Sequence, residues 1–528
     1  MSKDFKWKFP YPSRRMPICA KNIVATSQPL ASQAGLRMLL KGGNAVDAII
    51  ATAIALTVVE PTSNGIGSDA FAILWDGKKL NGLNASGKSP AAWTPEYFSK
   101  YKKMPLLGWD TATVPGAVSA WVELWKNYGQ LSFKELFEPA IDYARNGFLV
   151  SPITADVWNP LSRVFKTYPG YCEAFLRDGK PPKPGEIFKF PAQARSLELI
   201  AKTEGHALYH GELAKKIVDY AKETGGTMTL EDLENHRPLW VEPIKIEYKG
   251  VELHEIPPNG QGLAALIMLG ILKNFDISSF EPDSVESIHL QLEAMKLAFA
   301  DAHRYVSDPS TLEFDPKYLL QQDYLKERAN LIDTSKAQEF VYGIPKHGDT
   351  VYLTAADENG MMVSYIQSNY FAFGSGIVIP STGISLQNRG AGFVLEEGHP
   401  NQVGPNKRPF HTIIPAFVTR NREPLMSYGV MGGPMQPMGH AQMMIRLFQY
   451  KQNPQAANDA PRWRIMDGLD VIVEPEFNKE TVKALTERGH KVSTSHFVEF
   501  GGCQMIYKVE GGYVASSDPR KDGQAVGF

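Results

Sequence analysis

The apolar and polar positions divide this chain into helix-rich blocks that flank clusters of short strands. Residues 22–27 read as a strand, and residues 30–41 carry apolar side chains at helical spacing up to a stop at Gly42-Gly43. Asn44-Ala45-Val46-Asp47-Ala48 opens a helix through residue 59 whose near-uniform apolarity predicts burial on every side. Gly65-Ile66-Gly67-Ser68-Asp69 then turns into a strand over 70–75. Helices are predicted over 117–128, 133–146, 192–203, 212–224 and 230–235, followed by a hairpin over 244–256. The loop Pro257-Pro258-Asn259-Gly260-Gln261-Gly262 precedes an apolar helix, and residues 284–306 read as an amphipathic one. Residues 307–349 are charged, turn-rich and weakly patterned, as expected of an exposed segment. Strands over 351–356 and 361–368 face each other across Asp357-Glu358-Asn359-Gly360, where Asn-Gly is a strong hairpin signal. Further strands are expected over 377–379, 384–386, 413–418 and 425–430, with a helix over 438–450. Helix blocks alternating with clustered strands predict helices covering stacked antiparallel sheets.

Composition narrows the class. Of 528 residues 43% are hydrophobic and 21% charged, enough to bury a large core, and there is no low-complexity linker. A net charge of −2 points away from nucleic acid and membrane surfaces. Cys19, Cys172 and Cys503 are scattered and offer neither a disulfide framework nor metal spacing. The first fifteen residues lack the apolar core of a secretory signal, and the most apolar run, over 48–59, is too short for a bilayer, so a cytoplasmic location is expected. His289 and His303 share a predicted helix without the i, i+4 spacing of a metal pair, so packing or capping is their expected role. The Gly65 turn lacks the Gly-x-x-x-x-Gly-Lys-Ser/Thr pattern of a phosphate loop.

The candidate chemistry lies at His347-Gly348-Asp349-Thr350-Val351-Tyr352-Leu353. Thr350 stands at the mouth of the 351–368 hairpin. A cut between Asp349 and Thr350 would place a hydroxyl nucleophile and a free α-amine on one residue. Such an amine, with an unperturbed pKa of about 7.7–8.0, accepts the hydroxyl proton near neutral pH. Taken alone, a threonine entering a strand is commonplace.

Several further stretches change that reading. Ala31-Ser32-Gln33-Ala34-Gly35, Gly42 to Ala48, Val114-Pro115-Gly116, Tyr143 to Phe148, Asp349-Thr350, Gly404 to Pro409, Gly432-Gly433, Ala460-Pro461-Arg462 and Ser517 to Arg520 occur in order along nearly the whole chain. Together they resemble the γ-glutamyltransferase (glutathione hydrolase) family of N-terminal-nucleophile hydrolases. The resemblance implies an α+β, four-layer αββα sandwich made as a proenzyme. Thr350 would attack the Asp349 carbonyl and divide the chain into residues 1–349 and 350–528, which stay associated. The freed Thr350 would then form an acyl-enzyme with an amide substrate. Gly432 and Gly433 match the oxyanion-hole pair, and Ser368 falls where the family keeps a threonine beside the nucleophile. No cofactor and no metal are implied, and a homodimer stays open.

The substrate clamp departs from the family pattern. Ser86-Gly87-Lys88 stands where an arginine holds the γ-glutamyl carboxylate, and Lys88 lacks the bidentate fork. The acid for the α-amine falls in Gly390-Ala391-Gly392. His411-Thr412 aligns with a serine pair, and Tyr370, next to Asn369, with an asparagine. Ile366 to Tyr370 and Arg408 to Thr412 look more like a divergent branch that includes oxamate amidohydrolase and cephalosporin acylase-like proteins. A small acid amide or another non-peptide amide is therefore expected, with Asn369, Tyr370, Arg389, Arg408, His411 and Thr412 as candidate substrate contacts. Two alternatives remain: a true γ-glutamyl hydrolase or transferase with atypical anchors, and a non-catalytic binding protein that never cuts itself.

Overall fold

The computed structural model describes residues 15–340 and 349–528; residues 1–14 and 341–348, including His347 and Gly348, lie outside the described residues. Two seven-stranded antiparallel sheets face each other. The first runs, in spatial order, Gln524–Gly527, Ile23–Thr26, Asp349–Ala356, Met362–Tyr370, Asp69–Trp75, Leu80–Asn84 and Leu239–Val241. The second runs Ile18–Ala20, Gly512–Ser517, Gly502–Val509, Glu423–Met431, Ala416–Arg420, Val251–Glu255 and Ile244–Tyr248. Ile23, Phe71, Ile73, Tyr352, Ile366, Phe417, Met431 and Ile506 interdigitate between them. Helices cover the two outer faces, with cores around Ala45–Val59 on one side and around Gly262–Leu272 on the other. This is the four-layer αββα sandwich.

Local chemistry accounts for the innermost helices. Asn44 caps Ala45–Val59 by accepting from the Val46 and Asp47 N–H groups, and Asp47 accepts in return from the Asn44 N–H. All fifteen residues of that helix are buried. An apolar helix of this kind contributes roughly 1.5–3 kcal/mol per buried Val, Leu or Ile before chain entropy is counted. Residues from both sides of the Asp349–Thr350 bond supply strands to each sheet, so both lengths of chain share one core.

Three readings of the sequence need correction. The helix Val285–Tyr305 is buried almost all round from Ser287 to Ala302, charged residues included, because its polar face is covered by other parts of the chain. The segment expected to be exposed and irregular contains the helix Gln322–Ala329 and two short 3-10 turns, Pro309–Thr311 and Pro316–Leu320. Helices Pro152–Phe165 and Lys479–Glu487 and strands Gly502–Val509 and Gly512–Ser517 were not anticipated. The helix expected over 438–450 begins earlier, Met435–Met444, and closes as a π-helical turn, Ile445–Gln449. Among the described residues no helix is long and apolar enough to cross a membrane.

Candidate active site

Thr350 has no exposed surface in the intact chain. Its strand pairs with Met362–Tyr370 through an irregular register: Asp349 faces Tyr370, but Val351 faces Gln367, so Ser368 and Asn369 together oppose Thr350. A bulge of this kind re-aims side chains. Here the Thr350 Oγ1 hydroxyl donates to Ser368 Oγ at 3.4 Å, and Ser368 Oγ accepts from the Tyr370 N–H at 2.8 Å. The bulge is followed by Tyr370 at φ +77°, a left-handed backbone that a bulky residue seldom adopts.

A second approach to Thr350 comes from the other sheet. After Glu423–Met431 the chain turns through Gly432 and Gly433, at φ +118° and +58°, into the helix Met435–Met444. The Gly432 and Gly433 carbonyls accept from the Met435 and Gln436 N–H groups, while no hydrogen bond from either glycine N–H is found among the described residues. Gln436 Nε2 donates to Thr350 Oγ1 at 3.2 Å, and Gln436 Oε1 accepts from the Ile414 N–H at 2.9 Å. The Ile414 contact settles which end of the amide faces the hydroxyl. Gln436 went unnoticed in the sequence, where it sits within a helical apolar run; its place three residues beyond a glycine pair was the available signal. Replacing Gln436 with Met should lower turnover about tenfold, as the loss of one donor worth about 1.4 kcal/mol. It should also destabilise the fold by about 1–3 kcal/mol through the unpaired Ile414 N–H, read by urea unfolding.

The third component is a buried network around Asp69. Asp69 is the cross-strand partner of Ser368. Its Oδ1 accepts from the Gly87 and Gly116 N–H groups, both at 3.1 Å. Only glycine allows this approach: a Cβ on Gly87 would sit 1.6 Å from the Val114 carbonyl oxygen, and one on Gly116 would sit 1.6 Å from that of Ala85. The Val114-Pro115-Gly116 motif thus serves to seat a carboxylate. Asp69 Oδ2 lies 3.1 Å from His411 Nε2. His411 Nδ1 accepts from the Ile413 N–H at 3.4 Å, so Nε2 carries the proton and donates to Asp69. Burial, reinforced by the Arg389 charge, keeps His411 well below the usual imidazole range and therefore neutral. Burial also raises the Asp69 carboxyl to about 7, against the lowering effect of Arg389 and the two glycine N–H groups.

Arg389 is 1% exposed. Its Nη1 donates to Thr412 Oγ1 at 2.7 Å, and its guanidinium lies over the Tyr370 ring at 4.9 Å. Nε and Nη2 have no partner among the described residues. Burial lowers Arg389 to about 9, with Asp69 acting in the opposite direction, so it is cationic at neutral pH. Asn369 accepts from Ser68 Oγ at 2.8 Å, while its Nδ2 is also without a partner among the described residues. The His411-Thr412 loop is held by Gln261, whose Nε2 donates to the Thr412 and Gly433 carbonyls, and by the His411 N–H donating to Asn259 O.

Arg408, a candidate carboxylate ligand in the sequence, instead pins its loop. Nε donates to Ser86 O and Nη2 to Arg237 O, each at 3.0 Å, and its N–H donates to Asp308. Lys88 is exposed. His303 packs against Phe299 and Phe410, whereas His289 meets His490, a partner the spacing did not anticipate. A surface cavity of about 320 Å³, lined by Arg177, Phe190, Arg195 and Ile379 among others, shares no residue with the Thr350 surroundings.

Comparisons with known proteins identify the family. The gamma-glutamyltranspeptidase family profile matches residues 31–528. The chain belongs to the gamma-glutamyltranspeptidase family. Within it, the chain is 38% identical to the glutathione hydrolase-like YwrD proenzyme of Bacillus subtilis, over 97% of this chain and 99% of that protein. It is 33% identical to the oxamate amidohydrolase proenzyme of Klebsiella pneumoniae, over 94% and 97%. The crystal structure of cephalosporin acylase from Bacillus halodurans superposes with a TM-score of 0.96 at 46% identity, over 100% of this chain and 99% of that one. The family's members are enzymes of the N-terminal-nucleophile type, and this chain carries their fold.

Proposed function

We propose that the protein cleaves itself between Asp349 and Thr350 and then acts as an amidohydrolase on amides of small carboxylic acids. In self-cleavage, Thr350 Oγ bonds to the Asp349 carbonyl carbon as the C–N bond breaks, and the hydroxyl proton passes to the released amine. Water hydrolyses the resulting ester, leaving the Asp349 carboxylic acid and restoring the Thr350 hydroxyl. In turnover the free amine takes the Thr350 hydroxyl proton and passes it to the leaving amine as Oγ bonds to the acyl carbon and the C–N bond breaks; water then releases the carboxylic acid and restores the hydroxyl. The N–H groups of Gly432 and Gly433 are the oxyanion donors in this reading, worth roughly 2.7–4 kcal/mol apiece. Ser368 and Gln436 orient the hydroxyl. Residues 1–349 and 350–528 stay together because each contributes strands to both sheets. The three unpaired cysteines suit a reducing compartment such as the cytoplasm.

The observation that carries the substrate class is Arg389: a buried cation with two unpartnered N–H groups beside Tyr370 and Thr412. A carboxylate supplies the acceptors that guanidinium lacks. Asn369 and Thr412 complete that contact, and His411 holds Asp69 in place. The Gly390-Ala391-Gly392 turn, where the resemblance would put an acid for a substrate ammonium, leaves little room for one at either glycine. A Cβ on Gly390 would meet the Trp93 ring at 2.6 Å, and one on Gly392 the Phe410 carbonyl at 2.4 Å. An amide bearing a carboxylate and no α-amine fits this charge pattern.

The test is a panel of oxamate, succinamate and a γ-glutamyl amide, assayed beside Thr350→Ala. Faster release from the first two than from the γ-glutamyl amide supports the reading; the reverse order overturns the substrate class and favours a γ-glutamyl enzyme with unusual anchors. A wild-type chain that stays intact and inert would favour a binding protein instead.

A pH dependence follows. Asp69 ionises as pH rises through about 7, and its charge then competes with the substrate carboxylate for Arg389. KM should therefore rise above pH 7 while kcat rises as the Thr350 amine loses its proton near about 7.7–8.0. Asp69→Asn should flatten the KM profile and leave the rise in kcat.

A further inference from the structure

A second buried polar cluster joins three distant parts of the chain. His289, Glu293 and Lys296 lie on the helix Val285–Tyr305, and His490 follows the helix Lys479–Glu487; all four are buried. Lys296 and Glu293 form an ion pair. Lys296 Nζ also donates to Gln338 O at 2.6 Å, and Glu293 Oε2 accepts from the Gln338 N–H at 3.3 Å. His289 Nε2 donates to Asp333 O at 2.8 Å, which leaves Nδ1 to accept from His490 Nε2 at 2.9 Å. The Ala337 N–H donates to Arg488 O at 2.7 Å, and the Asp333 N–H to Gln338 Oε1 at 2.7 Å. Donor atoms of His289, Glu293 and His490 come within 4.8 Å of one another, but the Lys296 ammonium already supplies the positive charge that Glu293 needs.

What the cluster grips is residues 333–340, the last described stretch before the scissile bond. It grips them mainly through backbone carbonyls and N–H groups, since Ala337 is their one fully buried apolar side chain. Desolvating Glu293 and Lys296 is costly, and apolar residues would fill the space with less penalty. We propose that this cluster positions the upstream arm for self-cleavage. The inference rests on the self-cleavage reading above. With residues 333–340 held, the chain between the last upstream anchor and the strand at Thr350 is short. Released, it would be tethered only from Ile332. Closure of the longer loop lowers the population of the reactive geometry about twofold to threefold by length alone. Loss of the entry direction lowers it further. His490 and Arg488 lie downstream of Thr350, whereas His289, Glu293, Lys296 and residues 333–340 lie upstream. The clamp therefore closes only once both lengths of chain have folded together, which ties cleavage to completion of the fold.

The experiment compares wild type with the double variant Glu293→Gln/Lys296→Met, which removes the charges as a pair, and with Ala337→Pro, which deletes the N–H that meets Arg488 and leaves the buried charges alone. Cleavage is followed by intact-mass time courses after synthesis, and turnover is normalised to free N-terminal Thr350. The expected result is self-cleavage slowed threefold or more in both variants, with kcat and KM of the fully cleaved forms unchanged. Lys296→Arg, which keeps a donor to Gln338, should cleave near the wild-type rate. Wild-type cleavage rates in folded variants, or a matching fall in kcat, would overturn the proposal and leave the cluster a purely structural one. A wild-type chain that never cuts would overturn the self-cleavage reading itself, which separates the two failures.

Discussion

Thr350→Ala should remain a single chain under denaturing mass spectrometry, while the wild type resolves into two fragments meeting at Asp349 and Thr350. The Oγ is the only atom of the substituted residue that is lost along with a methyl group, and it is the atom on which Ser368 and Gln436 converge. Without it the Asp349 carbonyl has no attacking oxygen, and without the cut no free α-amine forms to act as base. Amide turnover should fall by at least about 10³-fold, the scale on which nucleophile removal is felt in comparable acyl-transfer sites. Stability should fall by about 1–3 kcal/mol, because the buried Gln436 Nε2 loses its acceptor on Thr350. Thr350→Ser keeps the oxygen and should cleave, more slowly, since the β-methyl no longer restricts the side-chain rotamer. An Ala variant that still splits at this bond would remove Thr350 from the mechanism.

Arg389→Met carries the second large effect. Truncating one partner of a buried, hydrogen-bonded charge pair costs about 2–5 kcal/mol, which corresponds to roughly 30- to 5,000-fold in affinity. The loss should appear in KM for carboxylate-bearing amides, with a smaller change in kcat. A neutral amide without the carboxylate should lose almost nothing, and this contrast is the decisive measurement. Arg389→Lys should recover part of the affinity as a point charge but not the two-pronged contact or the stacking on Tyr370. Equal losses for charged and neutral amides would assign Arg389 a scaffolding role. The variant should also titrate differently. Asp69 loses the nearby cation that lowers its pKa, so its ionisation moves above 7, and with no cation left to compete for, the rise of KM above pH 7 should flatten.

The hairpin that presents Thr350 was legible because its signals are local. Asn359-Gly360 sets the turn, and the stretches on either side of it are rich in β-branched and aromatic residues. The buried helix Ala45–Val59 was equally plain, since uniform apolarity with a capping asparagine has few other solutions. The glycine pair and Arg389 stood out as residues, but what they touch did not. Gln436 meets Thr350, and Gln261 ties the Thr412 loop to Gly433, across large separations along the chain. Arg408 shows the limit from the other side: the same residue type, a few positions from His411, spends its guanidinium on the Ser86 and Arg237 carbonyls.

The amino-acid sequence alone determined the secondary structure around the nucleophile, the layered α+β class and the chemistry open to a threonine freed at a strand terminus. These rest on near-neighbour periodicity, turn residues and the intrinsic pKa of an α-amine. Only the tertiary structure decided which groups surround that threonine. It made Asp69 a seated carboxylate, His411 its neutral donor, Arg389 a cation with open hydrogen-bonding positions and Lys296 the holder of the upstream segment. Each of those roles depends on burial and on contacts between residues far apart in the chain, and neither quantity is written in the local pattern of residues.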